Sequence, residues 1–244
     1  MENQAAQDKQ SEKSFYKDMY SNLKDLKDGG CITYGYEEIY GTWDDIPKRG
    51  TLLDAGSGAG KHSLNLAKLG FKVVGAEISM EGILAARSLA ESEGQKIQFV
   101  QADIEHLPFK ERAFETAFCG LILHHFIDPD PAIVEITRVT KSNFIAFEPN
   151  ALEPVTYLKF NILNRFIGIS RMSPNQRAIF PGRLKRRLKA LGFNAFRVDW
   201  LDIHRGYGGL AGLLTRIQTM ILGIFPRRFR CNKFSFRCKR TDSR

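Results

Sequence analysis

The sequence is short of cysteine, of long apolar runs and, in its last third, of acid. Its four cysteines, Cys31, Cys119, Cys231 and Cys238, lack the spacing of a metal site, so no metal is expected. A disulfide framework is disfavoured for the same reason. The most apolar stretch, residues 207–226, is broken by Arg216 and Gln218, which argues against a simple membrane span. The opening MENQAAQDKQSEKS has no apolar core of the kind an export signal needs, and a cytoplasmic address is expected. No repeat of 20 to 50 residues recurs, which excludes a solenoid.

Acid is missing from one part only. Residues 151–244 hold 20 basic and 4 acidic side chains, whereas residues 1–150 hold 16 and 23. The formal charge of +9 over 244 residues therefore describes neither part. A basic surface suits an anionic partner, whether nucleic acid, an acidic lipid surface or an acidic substrate. With 43% apolar and 26% charged residues, the chain is otherwise an ordinary globular sequence.

The residues that are present show an order. Phe15, Met19, Leu23 and Leu26 recur at three and four residues, predicting an amphipathic helix that stops at Asp28-Gly29-Gly30. An aromatic stretch follows, with Tyr34, Tyr36, Tyr40 and Trp43. Residues 1–48 thus read as a tail and helical cap, whose rings either pack on a sheet or line a ligand pocket. From residue 50, strands alternate with helices: Thr51–Ala55, His62–Leu69, Lys72–Glu77, Met80–Ser92, Ile97–Gln101, Ala113–Cys119, Asp130–Val139 and Phe144–Glu148. Such alternation predicts βαβ units and a largely parallel sheet over 49–244.

After Pro149 the rhythm breaks. Helical insertions are expected at about 151–180 and 206–228. The first places Val155, Leu158, Ile162, Leu163, Phe166 and Ile167 on one side, and the second does so with Leu210, Leu213, Leu214, Ile217, Ile221 and Leu222. Each either packs against the sheet edge or forms an apolar lid or interfacial patch bordered by arginines. Between them lies a basic helix, Pro181–Leu191, and strands are expected at Phe193–Trp200 and Phe234–Cys238.

One motif carries the chemistry. Asp54-Ala55-Gly56-Ser57-Gly58-Ala59-Gly60 follows the first strand directly, and its alternate glycines permit a tight turn and close approach of a ligand. Glu77 ends the next strand, placed to accept hydrogen bonds from a ribose diol. No Lys-Ser/Thr pair follows the glycines, which disfavours a phosphate-gripping loop.

These residues, with Val73–Ile78, Gln101-Ala102-Asp103, Leu107-Pro108-Phe109 and the run Phe118–Phe126, resemble the class I S-adenosylmethionine-dependent methyltransferases. The likeness is to the small-molecule branch that includes the ubiquinone and menaquinone enzymes. The resemblance covers about residues 50–148. It implies a doubly wound, mostly parallel seven-stranded Rossmann-like sheet with added helices and a reversed last strand, and S-adenosyl-L-methionine as cofactor. It also implies roles. Asp54 would hold the methionine amino end, with Gly56, Ser57, Gly58 and Gly60 shaping the turn beneath the cofactor. Glu77 would take the ribose hydroxyls, with Ile78 against the adenine. Asp103 would meet the adenine amino group, Ile104 would cover the ring, and Leu121 would run beside the methionine portion. Two departures stand out: Thr140-Lys141-Ser142 replaces the usual Pro-Gly-Gly turn, and the material after Pro149 matches no substrate subgroup.

For the acceptor side, His124 and His125 follow the fourth strand and are the catalytic candidates, with His106 a further one. Glu148 and Asn150 end the fifth strand at the same edge, and with Tyr34 and Tyr36 are candidates for substrate contact. Each of these also has a plain structural reading, as strand cap, helix cap or packed ring. The function expected is methyl transfer to an oxygen, nitrogen or carbon of a small, hydrophobic or acidic acceptor, with peripheral membrane contact as an added reading. RNA methylation through the basic region is disfavoured, because strand four is followed by Gly120-Leu121-Ile122-Leu123 and not by the amino-directed signature. A noncatalytic S-adenosylmethionine-binding regulator is the other alternative. The pattern names no oligomeric state.

Overall fold

In the computed structural model the described residues are 10, 14, 39, 40, 43, 45–167, 173, 175–201 and 224–241. The expected helix over 15–26, Tyr34, Tyr36 and most of the apolar pattern of 208–225 lie outside them.

Seven strands form one sheet: β1 (Thr51–Ala55), β2 (Lys72–Glu77), β3 (Gln98–Gln101), β4 (Phe114–Gly120), β5 (Thr140–Pro149), β6 (Phe193–Leu201) and β7 (Lys233–Arg240). Their spatial order is β3-β2-β1-β4-β5-β7-β6. β1 to β5 run parallel, and β7 runs antiparallel between β5 and β6. The chain turns back on itself between β1 and β4, which opens a crevice at the carboxyl ends of those strands.

The central strands β1, β4 and β5 are buried on both faces, and their side chains alternate between two cores. Leu53, Ala117, Phe144 and Ala146 face one side, where Ile133 and Ile136 of α3 (Asp130–Val139) cover them. Leu52, Phe118, Ile145 and Phe147 face the other, against Leu66 of α1 (Lys61–Lys68) and the rings of Tyr40 and Trp43. A period of two on a sheet covered by helices on both faces explains the near-continuous apolar runs. The Tyr40 hydroxyl lies 2.6 Å from His62 Nδ1, tying residues before the sheet to α1. A third helix, α2 (Met80–Ser92), buries Ile83, Ala86 and Ala90 against Phe99. Ser79 caps it, its hydroxyl accepting from the Gly82 N–H.

Three details differ from the sequence reading. Thr140-Lys141-Ser142 is no loop but the start of β5, so α3 runs straight into the strand. The Thr140 hydroxyl donates to the Ile136 carbonyl at 2.6 Å, satisfying a helix-end acceptor, and the β4–β5 register shifts between Phe114 and Thr116 to absorb the change. β7 is longer than expected because it pairs along both β5 and β6. The helix after Pro154 is three pieces: α4 (Pro154–Tyr157), a π-helical stretch (Leu158–Leu163) and α5 (Asn164–Ile167). Its Val155, Leu158, Ile162, Leu163 and Phe166 are exposed, so these side chains are not packed against the sheet edge. Glu153 caps this helix, accepting from the Val155 and Thr156 N–H groups. The basic helix α6 (Pro181–Ala190) is amphipathic, with Leu184 and Leu188 buried.

Candidate active site

The glycine turn leaves β1 at the crevice. Gly56, Gly58 and Gly60 all have positive φ, at 73°, 54° and 79°. At Gly56 a Cβ would collide with the Ile122 side chain, and at Gly60 it would lie 2.7 Å from Ala86 Cβ on α2. The first glycine thus lets the turn meet the segment after β4, and the last lets α1 start against α2. Glu77 closes the turn from the neighbouring strand: its Oε2 accepts from the Gly58 N–H and its Oε1 from the Ser79 N–H, both at 2.9 Å.

Two carboxylates are buried here. Asp54 accepts from the Ser63 hydroxyl at 2.6 Å, and burial, reinforced by Glu77, raises its pKa to about 7. Burial raises Glu77 as well, against the lowering effect of its two backbone donors. Burial disfavours charge on both acids, and a ligand bearing ammonium or sulfonium charge offsets that cost. The Ser57 hydroxyl is buried beside them without a hydrogen-bond partner among the described residues. The turn, the acids and the unmatched hydroxyl suit S-adenosyl-L-methionine.

The remaining cofactor candidates line the same strand ends. Ile104 is buried, and Ile78 and Asp103 are partly exposed. Asp103 Oδ1 accepts from the Glu105 N–H at 2.9 Å, which shapes the turn after β3. Leu121 sits at a φ of 58°, a left-handed conformation costing a non-glycine residue about 1–3 kcal/mol. Its N–H donates to the Phe147 carbonyl at 2.8 Å, and the turn it makes delivers Ile122 against Gly56.

On the acceptor side, His124 and Glu148 meet. Glu148 is fully buried; its Oε1 accepts from the Ile122 and Leu123 N–H groups at 3.0 and 2.7 Å, and its Oε2 lies 2.7 Å from His124 Nδ1. Burial raises Glu148 to about 8, while burial and the nearby His125 and Lys233 push His124 well down. Burial thus disfavours charge on both partners, and one proton shared between Oε2 and Nδ1 makes the 2.7 Å hydrogen bond. When Glu148 loses that proton, Nδ1 must carry the ring proton and Nε2 becomes an acceptor.

The other candidates are placed differently. His125 stacks beside His124, with ring centroids 4.1 Å apart, and its Nδ1 lies 3.3 Å from Gln176 Nε2. His106 is exposed, its Nδ1 3.6 Å from Asp103 Oδ2. Asn150 is fully buried, its amide donating to the Arg228 and Cys231 carbonyls while its Oδ1 accepts from the Leu152 N–H. The bonds of Glu148 and Asn150 make them braces of the acceptor edge, with Asn150 spent on backbone groups.

Two residues join the site that sequence reasoning missed. The Phe160 ring lies 5.8 Å from the His124 ring, and Lys233 Nζ lies 5.7 Å from the same phenyl centroid. Lys233 begins β7 opposite Pro149, so only the reversed strand brings it to this edge.

Residues 53–146 match a family model described as a methyltransferase domain. The methyltransferase YcgJ of Bacillus subtilis (strain 168) is 33% identical over 118 residues, 47% of either chain. A demethylmenaquinone methyltransferase of Thermus thermophilus is 35% identical over 98 residues, 39% of this chain and 44% of that one. The match spans less than half the length of these curated relatives. Among solved structures, a SAM-dependent methyltransferase from Thermotoga maritima shares the fold, with a TM-score of 0.62 at 18% identity over 91% of this chain and 98% of that one. The glycine turn and the acids at the ends of the first two strands fall within the matched stretch, so residues 53–146 are similar to a methyltransferase domain and the sheet has the class I S-adenosylmethionine-dependent methyltransferase fold.

Proposed function

We propose that the protein transfers a methyl group from S-adenosyl-L-methionine to an oxygen, nitrogen or carbon of a small acceptor with an apolar body and an acidic proton. The observation that carries this reading is the buried Glu148–His124 pair, 2.7 Å apart, on the segment that also places Ile122 against the glycine turn. When bound in this turn, S-adenosyl-L-methionine would supply an electrophilic methyl carbon for direct transfer to the acceptor. The chain's own part is alignment, exclusion of water and management of one proton. Asp54 holds the ammonium end of the cofactor, Glu77 takes the ribose hydroxyls and Asp103 the adenine amino group. Leu121 and Ile122 fix the distance between the cofactor turn and the acceptor edge. His124 receives the acceptor's proton at Nε2 when Glu148 is ionised, and Phe160 offers a ring against which an aromatic or quinone-like acceptor stacks. The resemblance to a demethylmenaquinone methyltransferase supports such a ring.

The test is incubation with a methyl-labelled donor and separate fractions of cell lipids, small metabolites and RNA. Label entering a small apolar or acidic molecule is the expected result. Label confined to RNA contradicts the reading, and cofactor binding without turnover in any fraction assigns a noncatalytic role.

A further inference from the structure

We propose that the exposed apolar side of residues 154–167, together with helix α6, is a docking face for an anionic lipid surface. Val155, Leu158, Ile162 and Phe166 follow one another at three- and four-residue intervals, and all are exposed, Phe166 to 77%. Spacing of this kind normally marks the buried side of a helix; here it points outward. Several large apolar side chains left exposed on one segment mark an interaction site.

The fold adds a second element that identifies the partner. Tyr157 of α4 and Phe180, which precedes α6, bring their rings to 5.9 Å, joining the apolar helix to the basic one. Leu184 and Leu188 turn inward, and Arg183, Lys185, Arg186 and Lys189 turn outward. Arg183 and Arg187 lie near Asp128 and Asp130, at 3.3 and 3.6 Å. Arg186 and Lys189 meet no carboxylate among the described residues. The acids in residues 151–201 offset little of this charge, because Glu153 is buried as a helix cap and Asp199 is held by Arg197 and Arg237. An apolar strip beside a basic row is the combination that seats a protein in a headgroup layer and selects anionic lipid. Among the described residues no helix is long and apolar enough to cross a membrane, so the contact lies on the surface.

The face also adjoins the acceptor edge. A cavity of about 250 Å³ opens between Asn161 of the apolar helix and Phe180, Arg183 and Arg187, and reaches Leu123, the neighbour of His124. Docking in this orientation sets the acceptor loop against the lipid, where an apolar acceptor is concentrated.

The experiment is co-sedimentation of the full chain with vesicles of phosphatidylglycerol and phosphatidylcholine in equal parts, against phosphatidylcholine alone. Two variants are compared: Leu158→Ser with Ile162→Ser and Phe166→Ser, and Arg186→Glu with Lys189→Glu. All five positions are exposed, and thermal melting with S-adenosylmethionine calorimetry verifies that each variant folds. The expected result is pelleting with the anionic vesicles, with partitioning reduced about tenfold or more in each variant. Wild-type protein that stays in solution, or variants that pellet equally, overturns the proposal. So does RNA competing off the vesicles at lower concentration than lipid, or a dimer in sedimentation velocity that the apolar variant abolishes. None of these readouts depends on methyl transfer.

Discussion

His124 Nδ1 lies 2.7 Å from Glu148 Oε2, and the other oxygen of that carboxyl holds the backbone of Ile122 and Leu123. One buried acid therefore sets both the path of the loop after β4 and the tautomer of the imidazole. The loop it fixes is the one that packs Ile122 against Gly56, so the glycine turn and His124 are linked through a single short segment.

Glu148→Gln separates these tasks. Glutamine keeps an acceptor for the two N–H groups but donates permanently to Nδ1, leaving Nε2 protonated at every pH. The wild-type rate is expected to rise with pH toward an apparent pKa near 8, where Glu148 ionises. The variant is expected to lose about 10²–10⁴ in rate and the rising limb with it, while still binding cofactor. A pH–rate profile of the two proteins is the measurement.

Stability carries the same signature. Unfolded Glu148 ionises near 4.5, whereas folded Glu148 keeps its proton to about 8. Its contribution is fully present below 4.5 and is lost as pH rises through 8. Thermal melts from pH 5 to pH 8 are expected to fall more steeply for the wild type than for Glu148→Gln.

Cofactor affinity is expected to increase as pH rises through about 7. Asp54 is protonated below that value in the free protein and must ionise to pair with a cation. Binding should release a proton below pH 7, seen as an enthalpy that depends on buffer. Asp54→Asn is expected to remove that dependence and weaken binding.

Gly56→Ala tests the turn. The new methyl group must displace Ile122 and sit at positive φ, a cost of about 2–4 kcal/mol. Lower melting temperature and weaker cofactor binding are expected together, because the displaced residue belongs to both parts of the site.

Much of this was legible in the sequence. Apolar runs bounded by turns marked β1 to β5, and the alternate glycines after Asp54 marked the tight turn that leaves β1. What escaped depends on contacts distant in the chain. The left-handed Leu121 has no signal in its residue type, since leucine rarely takes that conformation. Glu148 is oriented by N–H groups more than twenty residues away, and Lys233 arrives only through the reversed β7. The apolar side of 154–167 was visible, but periodicity says which residues share a side and not which way that side faces.

The ends of β2 and β3 are expected to bind S-adenosylmethionine through Glu77 and Asp103, and titration calorimetry measures this directly. Wild-type protein is expected to bind the cofactor with a single-site isotherm, and folded Glu77→Ala and Asp103→Ala to bind about tenfold or more weakly, the loss of a charged hydrogen bond. Unchanged affinity in both folded variants would contradict the account.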